Sequence, residues 1–308
     1  MSVLFTFPGQ GAQRSGMLHA LPREPEVLRT LEEACIVLGS DPLLLDTAAA
    51  LTSTYAVQLC LLIAGVAMAR VFVAHHAGPD MVAGLSIGAY PAAVVAGILN
   101  FDDAMRLVQR RGHLMESAYP VGYGMAAISG IDRYQLAPII ANIHSTKTPV
   151  YLANLNGLRQ NVISGSEEAM QSVMTLALVS GATSAVRLAV NVPSHCELFN
   201  PAALDMQDAF SSVKVSRPTL TYLSASATRA LFDPTMIASD LANNMATQVH
   251  WSETARLGWE RGARLAIEMP SGTVLTNLTT PLFTEGLAIA CENNRLDTLL
   301  ALVARERG

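Results

Sequence analysis

Apolar positions fall in two rhythms along this chain. The opening Val3-Leu4-Phe5-Thr6-Phe7 favours β structure and is cut off by Pro8-Gly9-Gln10-Gly11, so it reads as a buried strand feeding a loop. Residues 24–38 and 55–73 carry helical patterns. Met81-Val82-Ala83-Gly84 is a second short apolar run, followed by Leu85-Ser86-Ile87-Gly88 and a helical stretch over 89–99. Strand, tight turn and helix in that order predict a parallel α/β sheet. Residues 101–118 predict an amphipathic helix, with Asp102 and Asp103 at its dipole-positive start.

The texture changes near Gly122. From there to about Val192 the elements shorten. A strand at 124–130, a helix at 132–143, strands at 149–157 and 161–165, a helix at 167–181 and a strand at 184–190 follow one another. That βαββαβ order is the ferredoxin-like pattern. The expected architecture is a large parallel-sheet, α/β-hydrolase-like core made of residues 1–122 and 193–308. A small ferredoxin-like subdomain, 123–192, is inserted in it.

With 51% hydrophobic and 15% charged residues, the chain can bury a deep core, which excludes disorder. A net charge of -5 argues against a nucleic-acid partner. Lysine occurs only at Lys147 and Lys214, so anion binding must rest on arginine, helix N-termini or backbone amides. Cys35, Cys60, Cys196 and Cys291 are scattered without metal-ligand spacing, which fits a reducing compartment and no metal. The N-terminus lacks a basic segment before its apolar run. Residues 47–69 are uncharged and long enough to span a bilayer. Thr52, Ser53, Thr54 and Gln58 within them, and the absence of flanking basic clusters, favour a buried core helix instead. The expectation is a cytoplasmic protein with no membrane partner.

Gly84-Leu85-Ser86-Ile87-Gly88 has the G-x-S-x-G form of a nucleophile elbow. The serine of such an elbow occupies a strained strand-to-helix turn, where side chains at the two glycine positions would collide. The strain projects Oγ toward a helix N-terminus, whose free N–H groups favour developing negative charge. The alternative is an ordinary βα turn with a serine N-cap. Pro91, early in the following helix, is tolerated only within about its first turn. A serine nucleophile needs a base. Of seven histidines, only His195 follows a strand and opens a new element at a Pro-Ser break. A structural histidine is the alternative there.

The segments at 7–13 (FPGQGAQ), 84–90 (GLSIGAY), 106–118 (RLVQRRGHLMESA), 192–198 (VPSHCEL) and 275–279 (LTNLT) resemble, in order and spacing, those of the malonyl-CoA:acyl-carrier-protein transacylases. The resemblance runs essentially from end to end. It implies that Ser86 accepts the acyl group and that His195 is the general base. Gln10 and Ile87 would supply backbone N–H groups to an oxyanion hole, and Gln10 and Ser194 would also contact substrate. It further implies a histidine oriented by a backbone carbonyl, at the position seven residues before Trp251, which is Asn244. Arg111 matches the arginine that grips the malonyl carboxylate. Malonyl-CoA would be a substrate, with no cofactor, and an acyl carrier protein the partner.

Arg111 has independent support. Winding 104–116 at about 100° per residue groups Ala104, Met105, Leu107, Val108, Leu114 and Met115 on one face, with Arg111 near its middle. Arg106, Arg110 and His113 fall opposite. An inward arginine must find an anion, either an internal carboxylate or a substrate carboxylate met by its planar fork.

The chain departs from the family pattern GHSxGE at Leu85 and Ala89, and Pro270-Ser271-Gly272 replaces the usual Gly-Pro-Gly. These departures suggest a specialised branch, one loading the carrier subunit of malonate decarboxylase. Two other readings stay open. One is a serine hydrolase of α/β-hydrolase type, although that fold places its histidine near the C-terminus. The other is a non-catalytic carrier-docking subunit.

Overall fold

The computed structural model describes residues 2–119 and 121–308; Met1 and Pro120, both inside the expected span of the large unit, lie outside the described residues. The chain opens with β1 (Ser2–Phe7), α1 (Pro25–Leu38), α2 (Thr54–Ala74), β2 (Met81–Gly84), α3 (Ala89–Val95) and α4 (Phe101–Ala118). Then come β3 (Tyr123–Ser129), α5 (Arg133–Ile143), β4 (Val150–Gly157), β5 (Gln160–Ser166), α6 (Glu167–Val179) and β6 (Ser184–Arg187). The remainder comprises α7 (Asn200–Phe210), β7 (Thr221–Ser224), β8 (Arg229–Leu231), α8 (Pro234–Asn243), α9 (Trp251–Glu260), β9 (Ala263–Glu268), α10 (Val274–Thr279), β10 (Leu287–Ala290) and α11 (Leu296–Arg307).

The larger sheet has strand order β10-β9-β1-β2-β7-β8 and is parallel except for the edge strand β8. Both its faces are covered, as a parallel sheet requires. Val3, Phe5 and Phe7 of β1 pack into the main core with α2, while Leu4 points the other way into a cluster with Trp251 and Leu275. Helix α2 is the one helix, among the described residues, long and apolar enough to cross a membrane. It is sheathed by protein instead, with only Arg70, Val73 and a few end positions reaching the surface. Each large apolar side chain sealed this way contributes about 1.5–3 kcal/mol relative to exposure.

Residues 123–187 follow the βαββαβ order read from the sequence, in an antiparallel sheet ordered β4-β5-β3-β6. Alternation splits its faces. Ala126, Ile128 and Ile163 lie beneath α5 and α6 with Leu136, Ile140, Met170 and Val173, whereas Met125 and Val162 join the main core. The last strand ends at Arg187, short of the run read to Val190, and the Arg187 guanidinium donates to the Val190 carbonyl beyond it.

Two close approaches place the site. Phe7 of β1 is in register with Gly84 of β2, so both strands end at one edge of the sheet, where ligands of open α/β sheets bind. A side chain on Gly112 of α4 would come within 2.8 Å of the Tyr55 Cα, so only glycine lets α4 lie this close to α2.

Candidate active site

The turn after β2 is built as the elbow requires. Ser86 has φ +56°, in the left-handed region, a conformation an L-residue holds at a cost of about 1–2 kcal/mol. A Cβ on Gly84 would sit 2.1 Å from the Gly88 carbonyl carbon, and one on Gly88 would sit 2.0 Å from the Phe7 oxygen. The flanking glycines are therefore a steric condition of the turn. Ser86–Gly88 form a short 3-10 turn that runs into α3, and Pro91 falls at the third residue of that helix, within its first turn. The Pro8–Gly11 loop rests directly on the elbow: a side chain at Gly9 would meet Leu85 Cδ2 at 2.6 Å.

His195 also has a positive φ, +66°, and is almost fully buried. Its Nδ1 lies 3.0 Å from the Asn244 carbonyl and 3.1 Å from that of Thr247. Two carbonyl oxygens can only accept, so Nδ1 carries the proton and Nε2 keeps a free lone pair. Burial, and next the charge of Arg111, hold the imidazole down to about 4. It is neutral, and able to accept a proton, at neutral pH.

Arg111 reaches the site from α4, on the inward face that helical winding gives it, with Arg106, Arg110 and His113 at the surface. The guanidinium is fully buried. Nη1 donates to Gln58 Oε1 at 2.7 Å, and Nη2 donates to Asn244 Oδ1 at 3.1 Å and Ser86 Oγ at 3.2 Å. The Tyr90 ring lies 5.8 Å away, and among the described residues Nε has no partner. Among the described residues no carboxylate pairs with it. Burial pulls it down to about 10, so it remains charged at neutral pH.

Ser86, His195 and Arg111 line one cavity of about 230 Å³, together with Gln10, Ile87 and Ser194. Every candidate catalytic or binding residue of the sequence except Asn244 lies on this wall, and Asn244 stands behind it, holding both His195 and Arg111. Among the described residues no hydrogen bond joins Ser86 Oγ to His195. The serine oxygen accepts from the cationic Arg111, the stronger donor, which leaves its own O–H free to turn toward Nε2. The departures from the family pattern are apolar in place as well as in type: Leu85 lines the cavity and Ala89 is buried in the main core. Ser271 Oγ donates to the Ala12 carbonyl, tying the Pro270–Gly272 segment to the loop that carries Gln10.

Sequence reasoning missed Gln58 and Tyr90, the buried partners of Arg111, and the small-sheet wall that carries Asn154 and Asn156. Gln58 had a signal: a lone amide amid an otherwise apolar helix needs a buried polar partner.

Comparison with known proteins agrees with this geometry. The acyl transferase domain family matches residues 4–288. The malonyl CoA-acyl carrier protein transacylase of Haemophilus influenzae is 36% identical over 280 residues, covering 89% of each chain. That of Bacillus subtilis is 33% identical over 281 residues, covering 90% of this chain and 89% of the relative. An acyl carrier protein S-malonyltransferase structure from Vibrio cholerae superposes with a TM-score of 0.91 at 33% identity, covering 98% of this chain and 100% of the other. A type II PKS malonyl-transacylase in complex with its acyl-carrier protein gives 0.92 at 32% identity, over 99% and 100% of the two chains. With a family match across most of its length and relatives this similar from end to end, the chain belongs to the acyl transferase domain family.

Proposed function

We propose that this chain moves a malonyl group from coenzyme A to the thiol of an acyl carrier protein through a malonyl-Ser86 ester. One observation carries the reading: a fully buried, charged Arg111 with only neutral partners stands within hydrogen-bond distance of a strained serine Oγ. A substrate with a carboxylate one methylene from its thioester supplies the missing anion at that spot. The guanidinium fork would then select malonyl over acetyl.

In the first half-reaction His195 Nε2 takes the Ser86 proton as Oγ attacks the thioester carbonyl. The oxyanion rests on the amides of Gln10 and Ile87, and coenzyme A leaves as its thiol with the proton from His195. A carrier thiol then gives its proton to Nε2, attacks the ester, and Ser86 is released by the reverse of the same steps. Ser194, buried beside His195, contacts the acyl group. The scheme needs no cofactor. Leu85, Met115, Val162 and Leu188 give the cavity an apolar wall, which disfavours water as the acceptor and separates a transferase from a hydrolase.

Leu85 and Ala89 replace polar residues of the family pattern, and on that ground we assign the chain to a branch serving the carrier subunit of malonate decarboxylase. Residues 123–192 form its inserted small subdomain, and 1–122 with 193–308 the catalytic one. Four free cysteines fit a reducing cytoplasm. The test is transfer of malonyl from coenzyme A to two carriers, a fatty-acid type and a malonate decarboxylase type, with hydrolysis followed in parallel. Preferred transfer to the second, with slow hydrolysis, is the expected result. Hydrolysis faster than transfer to either carrier would overturn it.

A further inference from the structure

One arginine ties together both passages of the chain between the two sheets. Arg187 is the last residue of β6, and its side chain is 29% exposed. Nη2 donates to the Tyr123 carbonyl at 3.2 Å, where the chain enters the small sheet. Nη1 donates to the carbonyls of Leu188 and, at 2.8 Å, Val190, where the chain leaves it, and to that of Met125 at 3.2 Å. Nε donates to Glu167, the first residue of α6, at 3.0 Å. Glycine makes room for this arrangement. A Cβ on Gly124 of β3 would fall 2.0 Å from Nη2, 2.3 Å from Cζ and 2.7 Å from Nη1.

Beyond Arg187 the chain runs without a strand through Leu188, Ala189 and Val190, which line the active-site cavity, and on to Ser194 and His195. A ladder of β pairing does not hold this part of the wall, because β6 pairs with β3 only as far as Arg187. Its carbonyls therefore need another donor. Val190 is 3% exposed, and a buried carbonyl that loses its partner takes water in its place. A planar fork reaches several carbonyls at once, which a lysine ammonium does not.

We infer that Arg187 is a positioning residue that holds the Leu188–Val190 wall closed, so that a malonyl-Ser86 ester meets a thiol before it meets water. The inference rests on the proposed acyl transfer through Ser86 and deepens it. The reaction held back is hydrolysis of the ester. Water would give a proton to His195 Nε2 and its hydroxyl to the acyl carbon, Ser86 Oγ would leave and take that proton, and malonate would depart. Water released from ordering at loose carbonyls beside the cavity is the supply that Arg187 removes.

The test uses the whole protein, loaded at Ser86 with malonyl-CoA and freed of excess thioester. Loss of the malonyl mass is timed in buffer and, separately, with a pantetheine-bearing carrier. Arg187→Met removes the guanidinium, whereas Gly124→Ala displaces it and keeps it. Each should speed hydrolysis about 10–100-fold, the shift expected when hydrogen bonds from a charged donor are lost. Loading and discharge to the carrier should change far less, and Arg187→Lys should fall between Arg187→Met and wild type. The double variant should hydrolyse no faster than Arg187→Met alone, since both changes act through one side chain. An ester lifetime unchanged in Gly124→Ala would overturn the inference even if Arg187→Met fails to fold. Additive effects in the double variant, or equal losses of loading and discharge with hydrolysis unaltered, would also overturn it. Were wild-type Ser86 to gain no malonyl mass, the acyl-serine reading itself would fail, an outcome distinct from an ester whose lifetime ignores Arg187.

Discussion

Arg111 Nη2 donates to Ser86 Oγ across 3.2 Å, from a guanidinium wholly enclosed by protein. The residue that would choose the acyl group thus touches the one that would accept it. Its other hydrogen bonds end on the neutral amide oxygens of Gln58 and Asn244. An ionised group with neutral neighbours alone is costly to bury, and a substrate carboxylate offsets that cost.

Substituting Arg111→Gln removes the charge but keeps a polar group of moderate size. Malonyl transfer should fall about 30–1000-fold in kcat/KM, the loss expected when one partner of a buried charged hydrogen-bonded pair is removed. Acetyl transfer should change little. Kinetics with the two coenzyme A thioesters decide it, and equal losses would assign Arg111 a structural role.

At Ser86, stability and function should separate. Glycine at this position adopts φ +56° without strain. Ser86→Gly should therefore be more stable than wild type by about 1 kcal/mol while forming no acyl adduct. Denaturant melts give the first quantity and intact mass the second.

Gly112 sets the distance between Arg111 and Gln58. A methyl group there would press on the Tyr55 Cα at 2.8 Å, and overpacking of this kind costs about 1–3 kcal/mol. Gly112→Ala should displace α4 from α2, lengthen the Arg111–Gln58 bond and lower malonyl kcat/KM by roughly 10-fold or more, although residue 112 touches no substrate. Unchanged kinetics would mean that the packing of α4 does not position the arginine.

The pH dependence follows from His195. Its folded value near 4 lies below the ordinary 6.5, first through burial and then through Arg111. The folded protein therefore binds fewer protons than the unfolded chain between those values, so stability rises with pH across that window. The contribution is fully present above about 6.5 and is lost as pH falls toward 4, about 3 kcal/mol in all. His195→Gln should flatten that part of the stability profile. Acylation should persist well below pH 6, and Arg111→Gln should move its acid limb upward by removing the second cause.

Much of this arrangement could be read from the sequence where local chemistry dictates it. Gly84 and Gly88 around Ser86 encode a turn that has no room for side chains, and the winding of 101–118 turns Arg111 inward whatever packs against it. The carbonyl that holds His195 was placed at Asn244 through resemblance alone; nothing local marks it, because every residue has a carbonyl. The second bond from His195, to Thr247, was likewise not readable. Asn154 and Asn156 look like ordinary solvent-facing positions of an amphipathic strand. Their strand β4 packs against Gln248, Val249 and α9, and those contacts join residues far apart in the chain. The short edge strands β8 and β10 escaped for a similar reason: three or four residues carry too little periodicity to be recognised.

Peptide mapping of the protein after brief mixing with malonyl-CoA is the most direct measurement. A malonyl mass on the peptide containing Ser86, absent from Ser86→Ala and much reduced in Arg111→Gln, is the result expected. A malonyl mass on another residue, or an undiminished adduct in Ser86→Ala, would contradict the assignment of this serine as the acyl carrier.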